Sequence, residues 1–444
     1  MYLAIFDELG SITLSGGGAT AIAGCTYFPA TPARKDDGGF EDVTESGELV
    51  LRGSAAAIRS AVNSIEGYFE QAYDRQRGGP GTRVYASYMP VTTGDTAWRS
   101  EILEGRLTWS DDPALRRLKD ANPTVKVGFV WRRRPFWEGA ETEVQLMNSS
   151  QSYATGGRTV YNHDDSGTGH DNWVKLNPLQ VTGVLPAGTR IHLINNNGAA
   201  RTWRRLWVAV LSGTVYTHIL EAENRVAGGT VSSSSDASNG QYLQLVLNAS
   251  SISFDWLISA ATVNNAIGRF LRLLACVNYV GPGAVATVRP SLRDGANSSV
   301  LWQGDAVATP TSPGILDLGS IPLPPGGRPT ATPGALYLRL TFEGTGAWGL
   351  DFLQLTPTNG LAMVEGLAAV AANGAVVLNS VERQNYALDA SGYQVPYVVV
   401  SGQPIELTPN LDQRLIVLAE TADGVAIADT LSLRVWVRPR RLVV

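Results

Sequence analysis

Three carboxylates in two apolar segments form the strongest candidate site in this sequence. Glu221 and Glu223 alternate with apolar and amide residues in the stretch LEAENRVAGG. On a β-strand alternate side chains project from one face, so the strand predicts that both carboxylates lie on the same side. Asp351 stands in a second apolar segment, GLDFLQLTP, about 130 residues later. If these two strands pair, the three carboxylates meet, and they repel one another unless something neutralises them.

The segment bounded by these strands resembles a known class of domain. Residues 216–358 open with an E-A-E strand and close with an L-D-F-L-Q-L strand, and Gly, Pro, Ser and Asn interrupt the apolar segments between them. This order is similar to the jelly-roll carbohydrate-binding modules of galactose-binding-like type. The resemblance implies that Glu221, Glu223 and Asp351 hold a structural calcium ion, which takes oxygen ligands. It also implies that sugar binds elsewhere on the module.

Residues suited to sugar contact occur within this segment. Saccharide sites combine an apolar or aromatic surface with a few polar groups that bond the hydroxyls. Asn239 and Tyr242, in SSSSDASNGQY, and the later Trp302 are the residues we predict for this role. The alternative is that Tyr242 and Trp302 belong to the core of the sandwich.

Other polar clusters have simpler interpretations. A Gly/Ser-rich stretch contains two histidines and three carboxylates that could ligate zinc: His163, Asp164, Asp165, His170 and Asp171. No helix or knuckle pre-forms such a site, and we expect a solvated surface loop. In the run Trp131 to Pro135, the three consecutive arginines would fall on alternating faces of a strand. That arrangement favours salt bridges between subunits over phosphate contact.

The sequence shows few of the residue patterns that an enzyme needs. A glycosidase needs two carboxylates across a cleft, and Glu101 and Glu104 are not on one face of a strand. No G-x-S-x-G stands before a helix, so serine-hydrolase chemistry is not indicated. We therefore expect a protein that is not an enzyme.

Composition places these residues in a mainly β, multi-domain protein. The 444 residues exceed the length at which single cores stop growing, so two to four domains are expected. Charged residues are only 17%, and 47 Gly with 23 Pro indicate many turns, as in β-sandwiches. The net charge of −5 argues against sequence-specific nucleic-acid binding.

The amino terminus and the cysteines bear on the compartment. The start lacks a basic region before its short apolar run, and no apolar stretch is long enough to span a membrane. Cys25 and Cys276 stand far apart and are expected to be free thiols. We expect assembly in a reducing cytoplasm and no membrane insertion.

One amphipathic helix is predicted, at residues 54–77. Apolar side chains recur there at three- and four-residue steps, Ser54 suits the N-cap, and Gly78-Gly79-Pro80 ends the pattern. Strands precede and follow it, which predicts a β-sandwich with one flanking helix.

The order of these elements resembles the tube or belt domain of siphophage distal tail proteins. Residues 1–140 carry R-V-Y-A-S-Y, then W-R-S-E-I-L-E-G-R-L and V-G-F-V-W-R-R-R-P-F-W-E-G, and the chain closes with R-P-R-R-L, similar to prophage-encoded tail components. The resemblance implies a structural virion protein: a distal tail or baseplate ring of six or three copies, in contact with other tail proteins. It would carry the carbohydrate-binding-like module outward, toward host-surface glycan.

Alternatives remain open at this point. The chain could be the major tail-tube subunit with a decorating jelly-roll, or a carbohydrate-binding protein or glycosidase accessory module. We predict a ring domain at 1–140, an accessory β segment at 141–215, the jelly-roll at 216–358 and a C-terminal β region at 359–444. Three domains in series, or one domain inserted into another, would give the same order of segments along the chain.

Overall fold

The fold is mainly β, as predicted, and consists of several antiparallel sheets with one long helix. The computed structural model of the chain describes residues 1–16, 21–36, 39–90, 96–109, 124–163, 170–212, 219–259, 262–263, 270–294, 299–323, 336–421, 424 and 429–442. In these ranges no helix has the length and apolar character needed to cross a membrane.

The chain divides into two compact units. The first comprises Met1–Glu141 together with Gly183–Pro186 and Arg438–Val444, and the second comprises Thr142–Thr182 and Ala187–Val437.

The first unit is one antiparallel sheet with a helix on it. Its strands are β1 (Tyr2–Phe6), β2 (Ser11–Thr13), β3 (Ile22–Tyr27), β4 (Val43–Arg52), β5 (Val84–Met89), β6 (Trp98–Trp109), β7 (Thr124–Arg133) and β8 (Trp137–Glu138). Across the sheet, neighbouring strands pair in the order β2-β1-β5-β6-β7-β4-β3.

The predicted helix is observed as α1, Ala55–Gln76. The Ser54 side chain accepts a hydrogen bond from the Ala57 N–H at 3.2 Å, which satisfies one of the free donors at the helix start. The apolar face packs on the sheet: Phe69 lies against Gly105 of β6, where an added Cβ would be only 2.3 Å from the ring. The buried residues of this face are Ile58, Ala61, Val62, Ile65, Phe69 and Ala72.

Each of the three consecutive arginines pairs with an acid of the same chain, and the interpretation as salt bridges between subunits stays a prediction. Arg132 Nε lies 3.1 Å from Glu104 Oε1, and Arg134 Nε lies 3.5 Å from Glu101 Oε2. Arg133 is fully buried and makes a bidentate contact with Glu45 at 2.6 and 2.9 Å. The pairing of β7 with β4 on one side and with β6 on the other brings these acids close, which local alternation along one strand does not reveal.

The second unit contains the remaining strands. Those before residue 213 are β9 (Thr142–Glu143), β10 (Leu146–Asn148), β11 (Gln151–Ala154), β12 (Arg158–Tyr161), β13 (Trp173–Leu176), β14 (Leu185–Asn195) and β15 (Trp203–Ser212). Next come β16 (Ile219–Glu221), β17 (Thr230–Ser233), β18 (Gln241–Asn248), β19 (Ile252–Ile258), β20 (Phe270–Val280), β21 (Val285–Arg293), β22 (Val300–Gln303), β23 (Val307–Ala308), β24 (Gly314–Pro322) and β25 (Leu336–Pro357). The last are β26 (Leu361–Glu365), β27 (Ala375–Asn379), β28 (Gln384–Leu388), β29 (Gln394–Tyr397), β30 (Val399–Gly402), β31 (Glu406–Leu407), β32 (Gln413–Thr421) and β33 (Thr430–Arg441).

Strands from both sides of the middle segment share two sheets, which we call the framework sandwich (142–212 and 361–437). One sheet runs β11-β10-β13-β32-β15-β26-β30, and the other contains β12, β33, β14, β27, β28 and β29. β15 pairs directly with β26, with Trp207 opposite Met363. The chain therefore leaves the framework after β15 and returns beside it, so the middle segment is an insertion.

Residues 219–357 form a separate core, the inserted sandwich. The long β25 bends at Gly344 and Gly346, whose φ angles of 147° and 117° favour glycine. Its first half pairs with β19 and β21, and its second half pairs with β16, β18 and β20. One strand thus takes part in both layers, and β16 lies beside the end of β25 that carries Asp351.

The two sandwiches share an apolar contact. It consists of Trp207, Ile219, Leu274, Cys276, Ile315, Phe352 and Leu418. At its border the Arg205 guanidinium donates to Glu420 and to the Ile315 carbonyl, the latter at 2.6 Å. The second unit is therefore held by both packing and a buried ion pair.

Candidate functional site

The three predicted carboxylates gather around one turn of the inserted sandwich. Glu221 ends β16, and its register partner on β25 is Phe352, the neighbour of Asp351. Ser238 is fully buried and links two of the acids: its backbone N–H donates to Asp351 Oδ1 at 2.8 Å, and its hydroxyl donates to Glu221 Oε1 at 3.0 Å. Asn239 donates from its side chain to Glu223 Oε1 at 3.3 Å.

The predicted E-A-E strand is shorter than expected. β16 stops at Glu221, and Ala222–Asn224 form a 3₁₀ turn, so the two glutamates do not alternate on one strand. The indole N–H of Trp256 lies 3.2 and 3.3 Å from the carbonyl oxygens of Glu221 and Ala222. The side chain of a residue distant in sequence thus contacts the backbone at this turn. Glu223 still reaches the cluster through Asn239.

Burial dominates the electrostatics of the cluster. Asp351 is 1% exposed, and burial raises its pKa to about 8, with the nearby Glu223 charge acting in the same direction. Burial likewise raises the pKa of Glu223. The thiol of Cys276 lies 3.9 Å from Asp351 Oδ2, and burial raises its pKa well above the usual value. Burial therefore favours the neutral, protonated form of these three groups.

The fit to calcium is incomplete. Glu223 Oε2 is buried and accepts no hydrogen bond from any described residue, so it has a lone pair to offer a cation. However, one oxygen of each carboxylate is occupied by a protein donor, and in the described ranges no group of three or more His, Cys, Asp or Glu residues has the arrangement that holds a metal ion. We derive no role through calcium from this geometry, and calcium binding stays a prediction.

The residues predicted to contact sugar lie in two places. Asn239 is exposed and has a φ of 54°, and the half-buried Tyr242 is the second residue of β18, with its ring against Gly349. Trp302, also half-buried, lies on β22 opposite Leu292 and packs against the sandwich core. Asn239 and Tyr242 adjoin the second half of β25, whereas the strand of Trp302 belongs with its first half. Sugar contact by these residues stays a prediction.

The histidine segment differs from the predicted solvated loop. His163 is only 4% exposed, and its Nε2 lies 3.1 Å from His170 Nδ1. The His170 ring stacks on Tyr161 with 4.0 Å between centroids. Asp164 and Asp165 lie outside the described residues. A hydrogen-bonded histidine pair is thus part of the framework sandwich.

Sequence reasoning missed Ser238 and Cys276 as members of the carboxylate cluster. Ser238 stands in a run of serines with no signal to single it out, and Cys276 lies in an apolar strand whose partner is known only from the fold. No protein-family profile matches the chain, and no curated protein matches it.

Proposed function

We propose that the chain is a structural subunit of a bacteriophage or prophage-derived tail, similar to a distal tail or baseplate-ring protein. The observation that carries this proposal is the location of the two stretches that resemble tail proteins. Residues 1–140 and the closing R-P-R-R-L stretch are separated by nearly 300 residues, yet they belong to one compact unit.

The closing strand completes that unit through specific contacts. Arg440 and Arg441 of β33 pair in register with Glu138 and Trp137. Arg440 Nε lies 3.3 Å from Glu138 Oε1, and the Arg441 guanidinium lies 4.4 Å from the ring centroid of Trp98. A tail domain that opens and closes with the chain can carry the intervening residues as an accessory region.

The first unit also has a sheet edge suited to assembly. Among the described strands, β3 pairs with β4 alone. Phe28, directly after β3, is 80% exposed. An unpaired edge strand invites pairing with another chain, and a closed ring of copies leaves no such edge. The proposal places neighbouring copies at β3, in a ring of six or, if each chain supplies two tube-like domains, of three.

In this proposal the inserted sandwich faces outward from the ring. Asn239, Tyr242 and Trp302 each keep part of their surface accessible, which a glycan contact needs. Binding at a single shallow site should be weak, on the order of 0.1–1 mM, and many copies on one ring would add through avidity. The protein would be assembled in the host cytoplasm and reside in the virion tail.

A substitution at the edge tests the proposal. Phe28→Asp should abolish self-association of the full chain in sedimentation velocity, because it places a charge at the edge where copies meet. Leu179→Asp is the matched control, since Leu179 is 79% exposed in the second unit and should leave assembly unchanged. Equal self-association of Phe28→Asp and wild type would show that β3 is not the assembly edge. Open-ended stacks of rings would favour the tail-tube alternative.

A further inference from the structure

A pocket of about 300 Å³ opens in the framework sandwich. The turn joining β27 to β28 forms one side of it, and β30 with the three residues after it forms the other. The residues that matter for its chemistry are Asn379, Arg383, Asn385, Val400, Gln403 and Ile405. The pocket lies in a different sandwich from the carboxylate cluster.

Two amide side chains of the pocket have donors to offer. Asn379 is only 4% exposed, and its Oδ1 accepts from the Glu382 N–H at 3.0 Å. Asn385 Oδ1 accepts from the Asn379 backbone N–H at 3.2 Å. Since both side-chain oxygens are occupied by backbone donors, each amide has its NH₂ group left to offer. A ligand that supplies acceptors would satisfy these two amides.

Arg383 is the one charged residue among the described residues that line the pocket. It is exposed and follows Glu382 in the turn that joins β27 to β28. An exposed guanidinium attracts an anion, and its planar fork matches a carboxylate in two-point contact.

The backbone of Arg383 provides an independent observation. Its φ is 53°, in the left-handed region where glycine is favoured, within the turn between the paired residues Asn379 and Gln384. A long, charged side chain at such a position is strained, and strained residues cluster at ligand-binding sites. The turn holds the guanidinium beside the pocket.

The size and the walls define the ligand further. Small-molecule pockets span about 300–1,000 Å³, so this pocket can hold one ring-sized ligand. Val400 and Ile405 supply aliphatic surface for a C–H face. We propose that the pocket binds a single acidic sugar residue, with its carboxylate on Arg383 and its hydroxyls on the amides of Asn379, Asn385 and Gln403. This inference goes beyond the proposed tail function and does not depend on ring assembly.

Calorimetric titration of the full chain tests the proposal with glucuronate, glucose, acetate and inorganic phosphate as probes. We expect glucuronate to bind with a dissociation constant on the order of 1 mM, and glucose and acetate at least about tenfold more weakly. Arg383→Gln should weaken glucuronate binding about tenfold or more. Arg289→Gln removes an exposed arginine of the inserted sandwich and should change nothing.

Arg383→Gly separates binding from folding. Glycine accepts the positive φ, so this variant should melt no lower than wild type while losing glucuronate binding. The proposal is overturned if glucuronate does not bind at about 10 mM, if Arg383→Gln binds it as well as wild type, or if phosphate binds more tightly than glucuronate. A protein that stays monomeric but binds glucuronate would contradict the proposed ring and support the proposed binding site.

Discussion

Glu45 accepts hydrogen bonds from the Arg133 guanidinium, the Trp131 indole and the Tyr27 hydroxyl inside the first unit. Burial, with the adjacent Glu45 carboxylate, raises the pKa of Tyr27 far above its usual range, so the phenol stays protonated as a donor. At the scale of single residues this network is the most demanding feature of the unit. A buried charge is tolerated only when its partner is present.

Glu45→Gln should therefore destabilise the protein strongly. It leaves the Arg133 guanidinium, which is fully buried, without its counter-charge, and we expect a loss of about 3–5 kcal/mol in the free energy of unfolding. Glu48→Gln on the same strand is the control: Glu48 pairs with Lys126 at 2.7 Å, but both side chains are largely exposed. Its cost should stay below about 1 kcal/mol. Equal losses in urea unfolding would show that the buried pair has no special role.

The Asp351 carboxyl makes the stability of the folded protein depend on pH. Its carboxyl stays protonated in the folded state up to about pH 8, whereas in the unfolded chain it ionises near its usual value of 3.8. The unfolded state therefore binds fewer protons over this window, so stability is fully present below about pH 4 and falls as pH rises toward 8. Asp351→Asn, which stays neutral, should melt higher than wild type at pH 8 in chelator and equally at pH 4. Asp236→Asn, an exposed residue before the same turn, should behave as wild type.

Calcium binding would counteract the loss of wild-type stability at pH 8. If the three carboxylates bind the ion, added calcium should raise the melting temperature of the wild type at pH 8 and have no effect on Asp351→Asn. A wild-type melting temperature that is the same in calcium and in chelator would show that the calcium prediction is wrong.

At the scale of elements, the helix and the cluster show what a sequence can and cannot predict. The span and buried face of α1 follow from local spacing and from Ser54. The approach of Glu221 to Asp351 followed from pairing the first and last strands of the insert. The 3₁₀ turn after Glu221 could not be predicted, because it involves the Trp256 indole, more than 30 residues away. The Glu45–Arg133 pair depends likewise on strand register.

Ile65→Asp tests the role of α1. Ile65 is 1% exposed beneath the helix, so a carboxylate there is buried without a partner and should cost several kcal/mol, enough to unfold the first unit. Asn63→Asp places the same group on the exposed face of α1 and should shift stability by no more than about 0.5 kcal/mol. Thermal melts followed by circular dichroism would measure both. A folded Ile65→Asp first unit would contradict the packing of α1 on the sheet.

At the scale of the whole molecule, the chain combines a small unit built from both ends of the sequence with a larger unit of two sandwiches. The first unit has an unpaired edge at β3, and the framework sandwich has the donor-rich pocket beside Arg383. These features suit a subunit that assembles through one unit and meets ligands through the other. The proposed function depends on this assembly.

Electron microscopy of the purified full chain tests that assembly most directly. We expect closed rings with a central channel and six-fold or three-fold symmetry, with the second unit on the outside. Particles the size of one chain at tens of micromolar protein, with no rings in any class average, would contradict it.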